Sequence, residues 1–368
     1  MSDTSIGRDD AISAEARALL ARVEEADARA TRSLRAALRE LGIADDLRLE
    51  DRARAALSTF LNDCITAIAG ELREFALRVL TGRSADEASA TLSALSIDEV
   101  VTLATHLLTA EVAVVDECLA RIRLELLAAS LPIEAPAGTE LPSLLAQLVR
   151  SPDRVVASAA ADVLAGESAR RDIRAAWGGP DTGLPTPLQA KLVWSVAAAM
   201  IHASGEPMRG GVLGGSIAEA ARRSLAAHDD QHRLEAVASR LARAIDARAD
   251  ELPLLLEDCF RDRQMTLAVA LIAHGLTLSF EAVRGLFVDA ADDRLWLALR
   301  ALDLPRYGVA RVAFLLSEAD PRRDIDLIAS TLEVVMTLDI AAARTAITSL
   351  GLESDYRAAL LALRSWRP

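Results

Sequence analysis

Apolar residues recur at alternating steps of three and four along most of the chain, the spacing of a helix with one buried stripe. The first stripe lies between Ser13 and Leu41, and Gly42 ends it. Its members are Leu19, Val23, Ala26, Ala30, Leu34, Ala37 and Leu41. After the acidic turn at Asp45 and Asp46, a second stripe comprises Leu57, Leu61, Cys64, Ile68, Leu72, Phe75 and Val79. Two long helices joined by a short loop predict an antiparallel hairpin in this N-terminal part.

Shorter helices are predicted between residues 82 and 131. Ser84 and Ser96 are the predicted N-caps, because Glu87 and Glu99 stand three residues after them in the spacing of a capping box. Short helices that begin with such caps are typical of helical-repeat units. This stretch is therefore predicted to hold the first repeat-like helices.

Two segments rich in proline and glycine interrupt the helical pattern, at 132–142 and 178–187. Between them, residues 144–164 contain a helix pattern, a Ser-Pro-Asp turn and a second helix pattern of small residues, which resembles one HEAT-type repeat. The linkers divide the chain into an N-terminal hairpin with short helices, a central HEAT-like part and a C-terminal helical-repeat part. The predicted domains are 1–131, 141–250 and 251–368.

The second half of the chain continues the helical pattern. A glycine-rich loop is predicted at 204–216, followed by a long helix rich in Arg, Glu and Ala that reaches about Ala249. Short helices then return. Ser279 is a predicted N-cap, and Pro305 and Pro321 are predicted in first helical turns, where proline is tolerated.

A shift of 60 residues aligns segments of the C-terminal part with each other. The aligned pairs are Leu278 with Leu338, Arg284 with Arg344, Trp296 with Tyr356, and Leu302 with Ala362. True repetition and chance similarity between helices rich in Ala, Leu and Arg both explain such a match. The predicted fold is all-α: stacked helical hairpins, a HEAT-like α-solenoid, with a long N-terminal antiparallel hairpin.

Composition supports a helical core and argues against some partners. Apolar residues make up 52% of the chain and aromatic residues only 3%, so the core consists mainly of Ala, Leu, Val and Ile, and no sheet is expected. The net charge of −13 opposes the long-range attraction on which binding to nucleic acids or anionic membranes depends. We therefore expect no nucleic-acid partner and no membrane partner.

Cysteine usage and hydropathy indicate the compartment. Cys64, Cys118 and Cys259 are odd in number and far apart, which favours neither a disulfide framework nor a zinc site. The first ten residues are polar and hold no apolar signal-peptide core. The longest uncharged stretch, Gln264–Phe280, is shorter than a membrane-spanning helix and predicts a buried core helix. A cytoplasmic location is expected.

Two stretches carry a resemblance to a known family. The family is the alphaproteobacterial domain-of-unknown-function 2336 family. Its charged start and its Glu- and Arg-containing helix are similar to Leu49–Leu57 with Glu71–Leu80. Its C-terminal helix pairs are similar to Leu278–Phe287 with Leu295–Pro305. The resemblance covers about a quarter of the chain. It implies a cytoplasmic protein of HEAT-like helical repeats and supplies neither an activity nor catalytic residues.

The sharpest candidate chemistry is a histidine pair. On a continuous helix, His228 and His232 would stand four residues apart on one face, where both imidazoles could bind a metal ion. Asp229 occupies the place where zinc proteases carry a catalytic Glu. The competing interpretation is a solvated polar helix surface, since two ligands alone make a weak site.

Two further motifs have structural alternatives. The segment Gly210–Ser216 precedes a predicted helix, with Ser216 and Glu219 in capping-box spacing, and its amide groups could bind an anion. A phosphate loop needs a lysine where Gly215 stands, so a flexible loop is the competing interpretation. His106 could accept a phosphoryl group, but the simpler expectation is that His106, His202 and His274 are partly buried helix residues, each bonded to a neighbour.

The functional prediction follows from many amphipathic helices without an assignable catalytic set. We expect a non-enzymatic protein–protein interaction, scaffold or regulatory protein with no cofactor, whose partner protein is unknown. The alternative is a metal- or small-molecule-dependent enzyme that uses His228 and His232. A homo-oligomer formed through the N-terminal hairpin is a further hypothesis, since two hairpins complete a four-helix bundle.

Overall fold

The computed structural model describes residues 51–132, 142–175, 182–205 and 211–352, with Ala18, Leu19, Arg22 and five residues between 356 and 363. Within these ranges the chain forms α-helices and 3₁₀ turns and no strand, which confirms the all-α prediction. The helices are α1 (Asp51–Gly82), α2 (Asp86–Ala94), α3 (Ile97–Thr109), α4 (Val112–Ser130), α5 (Leu144–Leu148), α6 (Arg154–Ala175), α7 (Thr186–Ala203), α8 (Val212–Ala227), α9 (Leu234–Ile245), α10 (Leu252–Arg261), α11 (Met265–Leu276), α12 (Phe280–Val288), α13 (Arg294–Ala301), α14 (Arg306–Ala319), α15 (Ile325–Thr337) and α16 (Ile340–Ala346). The 3₁₀ turns are Asp230–His232 and Thr348–Gly351.

The contacts divide the chain into two units, each built from separate segments. The bundle unit comprises 36–122 and 165–236, and the stacked unit comprises 1–35, 123–164 and 237–368. This division differs from the three consecutive domains predicted from the linkers. The boundaries among the described residues fall inside α4, α6 and α9, and they do not coincide with the linkers.

The bundle unit is organised around α1. This helix packs against α2, α3, α7 and α8, and α7 also packs against α3 and α8. The predicted stripe of α1 is buried from Leu57 to Leu72, but Phe75 and Val79 are only half-buried, and Ala76 and Leu80 take their place in the core. The guanidinium of Arg223 lies 4.7 Å from the centre of the Phe75 ring, so this half-buried ring makes a cation–π contact at the edge of the core.

The predicted N-terminal hairpin lies mostly outside the described residues. Of its first helix, only Ala18, Leu19 and Arg22 are described. Leu19 is buried, and Arg22 Nε donates to Asp293 Oδ2 at 2.9 Å in the stacked unit. The described partners of the second hairpin helix, α1, are helices of the bundle unit.

From α10 to α15, successive helices of the stacked unit pack against each other. Contacts join α10 to α11, α11 to α12, α12 to α13, α13 to α14 and α14 to α15, and further contacts join α10 to α14, α11 to α13, α13 to α15 and α13 to α16. Every residue from Met265 to Ala273 in α11 is buried, as the long uncharged stretch predicts. This neighbour-to-neighbour packing is what stacked helical hairpins require.

Four helices of the described chain end in the same backbone conformation. Ser84, Arg263, Thr277 and Asp303 have positive φ, and the amide after each donates to a carbonyl five residues earlier. This is the hydrogen bond of a Schellman motif. Ser84 was predicted to cap α2, but it closes α1 instead, and Ala85 precedes α2 without a side-chain cap. That prediction is wrong because the serine already serves the preceding helix.

The other predicted caps have mixed outcomes. Ser96 accepts from the amide of Glu99, and Ser279 caps α12 through the third following amide, so both are confirmed. Pro305 immediately precedes α14. Pro321 lies in a turn ahead of α15, whose N-cap is Asp324, because an aspartate can accept the first amide hydrogen bonds.

Helix starts in the stacked unit agree with the 60-residue shift. α11 and α15 begin at Met265 and Ile325, and α12 and α16 begin at Phe280 and Ile340. The residues before α12 and α16, Ser279 and Asp339, each accept a hydrogen bond from the third amide that follows. Burial differs, since α11 is a core helix and α15 is buried on a narrow stripe.

Arginine side chains reach carbonyl groups at or just past the ends of other helices. The pairs are Arg73 with Leu95, Arg263 with Leu131, Arg300 with Leu338, Arg323 with Phe287, and Arg344 with Ala301. A guanidinium has five donors in a planar fork and stays charged, so it satisfies carbonyls that lack a helical partner.

Among the described residues, no single helix has the length and apolar composition to cross a membrane. α2 and α3 meet these criteria only as a pair, and they meet at an angle of 76°.

Candidate functional site

The histidines at 228 and 232 do not share a helix face. α8 ends at Ala227, His228 is its C-cap residue, and His232 belongs to a 3₁₀ turn. His228 Nε2 lies 3.3 Å from Asp230 Oδ1, and His232 Nδ1 lies 3.3 Å from Asp229 Oδ2. The first side chain is 5% exposed and the second 76%. The helical geometry predicted for a metal pair is therefore wrong, because the Asp229 side chain caps the turn that interrupts the helix.

The glycine-rich segment also differs from its prediction. α8 begins at Val212, so Gly214 and Gly215 lie in its first turn, and Ser216 is buried inside the helix. The Ser216 hydroxyl donates to the Val212 carbonyl at 2.9 Å, so it is not the N-cap. The long helix predicted to reach about Ala249 is divided into α8 and α9. Residues 206–210 of the predicted loop lie outside the described chain.

The remaining histidines have separate surroundings. His106 and His202 lie exposed in the last turns of α3 and α7, where partial burial was expected. His274 Nε2 lies 2.9 Å from Asp246 Oδ1, as expected of a helix histidine bonded to a neighbour. Across the described ranges, no group of three or more His, Cys, Asp or Glu side chains could hold a metal ion.

A buried charged cluster in the bundle unit, the arginine clasp, consists of Arg121, Thr182, Gly183, Arg233 and Glu235. Arg121 Nε lies 3.4 Å from Glu235 Oε1, and Arg121 Nη1 donates to the Thr182 carbonyl at 2.9 Å. Arg233 Nε donates to the Gly183 carbonyl at 2.9 Å. The side chains of Arg121 and Glu235 are only 8% and 6% exposed. The clasp therefore holds the loop ahead of α7 through charges removed from water.

The electrostatics of the clasp keep Arg121 charged. Burial opposes its charge, but the carboxylates of Glu235 and Glu117 raise the pKa of Arg121 above its usual value. Gly183 has φ 63°, and a Cβ there would lie 2.8 Å from Arg121 Nη2, so this position favours glycine. The opposite charges and close packing indicate a structural role. Sequence spacing could not find this cluster, because its members come from separate segments.

The three cysteines are buried and form no disulfide. Burial, and to a lesser extent the neighbouring Cys118, raise the pKa of Cys64 to about 12. Burial likewise raises the pKa of Cys259. Because the thiolate is the nucleophilic form, neither Cys64 nor Cys259 is poised for catalysis.

An exposed apolar surface lies on α10 and α14 in the stacked unit. We call it the aromatic face and define it by Leu254, Tyr307, Arg311 and Phe314. Tyr307 and Phe314 stand seven residues apart, two turns along one side of α14, and Tyr307 is 64% exposed. Leu254 of α10 is also exposed. Such large apolar side chains on one surface mark an interaction site when they form a patch.

Contacts between α10 and α14 hold the aromatic face together. A Cβ added at Gly308 would lie 3.6 Å from Pro253 Cβ, so the two helices approach closely at the residues next to Leu254 and Tyr307. Arg311 Nε lies 3.7 Å from Glu257 Oε1. A cavity of about 110 Å³ opens beside this ion pair. The face thus combines exposed rings, an arginine and a small recess.

A second surface of the stacked unit, the arginine groove, lies between α6 and α9. Its volume is about 690 Å³ and it is open to solvent. The side chains that line it include Arg154, Val155, Ala159, Asp162, Arg240 and Arg243. Val155 is 68% exposed, and Arg240 Nη2 lies 3.7 Å from Asp162 Oδ2.

Comparison with protein-family models, curated proteins and solved structures finds no match to this chain.

Proposed function

We propose that this protein is a non-enzymatic interaction protein that holds a partner protein on the aromatic face. The observation that carries the proposal is the exposure of Tyr307 and Phe314 on one side of α14. Aromatic residues make up only 3% of the chain, so two exposed rings on one helix face are an unusual use of scarce aromatic side chains.

The chemistry of the face suits a protein partner. Tyr, Phe and Arg are enriched at protein–protein interfaces, and Tyr and Arg dominate the residues whose loss weakens binding most. Arg311 and Glu257 neutralise each other locally, so an apolar partner surface would not face an excess of either charge. The resemblance to the domain-of-unknown-function 2336 family agrees with this proposal, because it implies a helical-repeat protein without catalytic residues.

The test is affinity purification of the full chain from the native host with quantitative mass spectrometry. The wild type is expected to retain a specific protein in near one-to-one ratio. The double variant Tyr307→Ser/Phe314→Ser is expected to lose it, since truncating one hot-spot residue costs about 2 kcal/mol, or roughly 30-fold in affinity.

A matched control removes an exposed apolar side chain elsewhere. Leu107 lies exposed on α3 in the bundle unit, and Leu107→Ser should retain the same partner as the wild type. Far-UV circular dichroism must show equal helix content in all variants. Retention of the same proteins by the double variant would refute the proposal, and so would co-purification of a metabolite without a specific protein.

A further inference from the structure

The arginine groove has a charge that contrasts with the rest of the molecule. Among the side chains that line it, Arg154, Arg240 and Arg243 stand against one carboxylate, Asp162. The whole chain carries a net charge of −13. A local positive surface on an acidic protein attracts acidic partners and disfavours cationic ones.

The small and apolar side chains that line the groove are suited to a helix. Val155 and Ala159 stand four residues apart on α6, and Ala244 lies among the lining residues on α9. Small side chains allow another helix to approach closely, while the exposed Val155 side chain offers an apolar contact. The arginines lie on both helices, so cations are available along both walls.

The shape and charge of the groove decide between occupants. Small-molecule sites bury most of their ligand, whereas this groove is open to solvent. A second copy of the chain, docked symmetrically on the same groove, would bring the two excesses of arginine together. Repulsion between those arginines argues against this arrangement, and a partner with carboxylates relieves it.

We propose that the arginine groove binds an amphipathic helix of a partner protein in which Glu or Asp residues flank an apolar stripe. The stripe packs on Val155 and Ala159. The carboxylates pair with Arg154 and Arg243, and Arg240 keeps its contact with Asp162. This surface is separate in residues from the aromatic face, so the two proposals succeed or fail independently.

The probe is a fluorescein-labelled helical peptide of about 18 residues, roughly 27 Å long, with a leucine stripe flanked by glutamates. A matched peptide carries glutamine at every glutamate position. Fluorescence anisotropy with the full chain at low salt should show about tenfold tighter binding of the glutamate peptide, and higher salt should reduce the difference by screening.

Variants test whether the groove is the binding surface. Arg154→Glu/Arg243→Glu should weaken binding of the glutamate peptide by about tenfold or more. The conservative Arg154→Lys/Arg243→Lys should keep most of the affinity, because the charges remain. Arg222 is exposed on α8 in the bundle unit, and Arg222→Glu, a reversal elsewhere, should leave binding unchanged.

Three results would overturn the proposal. Equal binding of the glutamate and glutamine peptides would show that charge does not select the occupant. Unchanged binding in the folded double-reversal variant would place the peptide elsewhere. A concentration-dependent dimer in sedimentation velocity, lost in the same variant, would assign the groove to a second copy of the chain. The Tyr307→Ser/Phe314→Ser variant should bind the peptide normally, which separates this outcome from the test of the aromatic face.

Discussion

Replacement of Arg121 by methionine is expected to destabilise the bundle unit strongly. Arg121 Nε lies 3.4 Å from Glu235 Oε1, and both side chains are almost fully buried. At an effective dielectric constant of about 20, unit charges at about this distance attract by roughly 5 kcal/mol. Methionine fills much of the volume but leaves the Glu235 carboxylate buried without its main partner.

The net effect is smaller than the full attraction. Arg233 Nη2 lies 3.8 Å from Glu235 Oε2 and compensates in part, while the Thr182 carbonyl loses the hydrogen bond from Arg121. Breaking a buried ion pair from one side costs about 3–5 kcal/mol in measured cases. We therefore expect Arg121→Met to lower the free energy of unfolding by about 3 kcal/mol.

Two controls isolate burial as the cause. The double variant Arg121→Met/Glu235→Leu removes both members of this pair. Because Arg233 then loses its contact with the Glu235 carboxylate, the free energy of unfolding should recover only part of the loss and stay above that of Arg121→Met. Arg83 lies closer to its partner, with Nη2 at 3.0 Å from Glu219 Oε2, but both side chains are about half exposed. Because water screens this pair, Arg83→Met should cost less than about 1 kcal/mol.

The assay is urea unfolding followed by far-UV circular dichroism, combined with hydrogen exchange of residues 182–189. The exchange measurement is local, so it separates the bundle unit from the stacked unit. Arg121→Met should speed exchange there, because Arg121 holds the Thr182 carbonyl. A loss for Arg121→Met no larger than that for Arg83→Met would contradict a role for burial, and so would a double variant as unstable as the single one.

Four shorter predictions follow from other positions. Gly183→Ala should cost about 1–3 kcal/mol in urea unfolding, because the positive φ and the guanidinium of Arg121 both oppose a Cβ; no loss would contradict the close approach. Thr277→Gly should raise the free energy of unfolding by about 0.5–1 kcal/mol, because a β-branched residue is strained at φ 56°. A fall in stability would show that the Thr277 side chain stabilises the turn. Cys64, whose pKa is raised to about 12, should react with a disulfide reagent at pH 8 only as the protein unfolds, so immediate labelling would contradict its burial. Burial opposes the charge of Asp320, but Arg322 and Arg323 outweigh it and lower the pKa of Asp320. The contribution of Asp320 to stability should therefore be present above pH 4 and lost as the pH falls through the lowered pKa. Asp320→Asn should remove this acid-dependent loss in urea titrations.

Local features of the fold were predictable from sequence. The spacing of apolar residues predicted the α-helices and the buried stripe of α1 as far as Leu72, and side-chain chemistry predicted the caps at Ser96 and Ser279. These features depend on residues within one or two turns of each other, so a single segment contains the information. The same local reasoning failed at Ser84 and Pro321, where a neighbouring helix end or a better cap competed for the position.

The candidate surfaces were not predictable in this way. Sequence spacing singled out His228 and His232, but a turn separates them, and nothing in the pattern distinguishes the exposed Tyr307 from a core aromatic. The sequence by itself determined the helical class, the small-residue core and the acidic net charge. Only the tertiary structure decided which helices pack together and that Arg121 meets Glu235. It also decided that aromatic rings and arginines remain exposed on the stacked unit. Burial and ion pairing depend on segments that are distant along the chain and become neighbours only on folding.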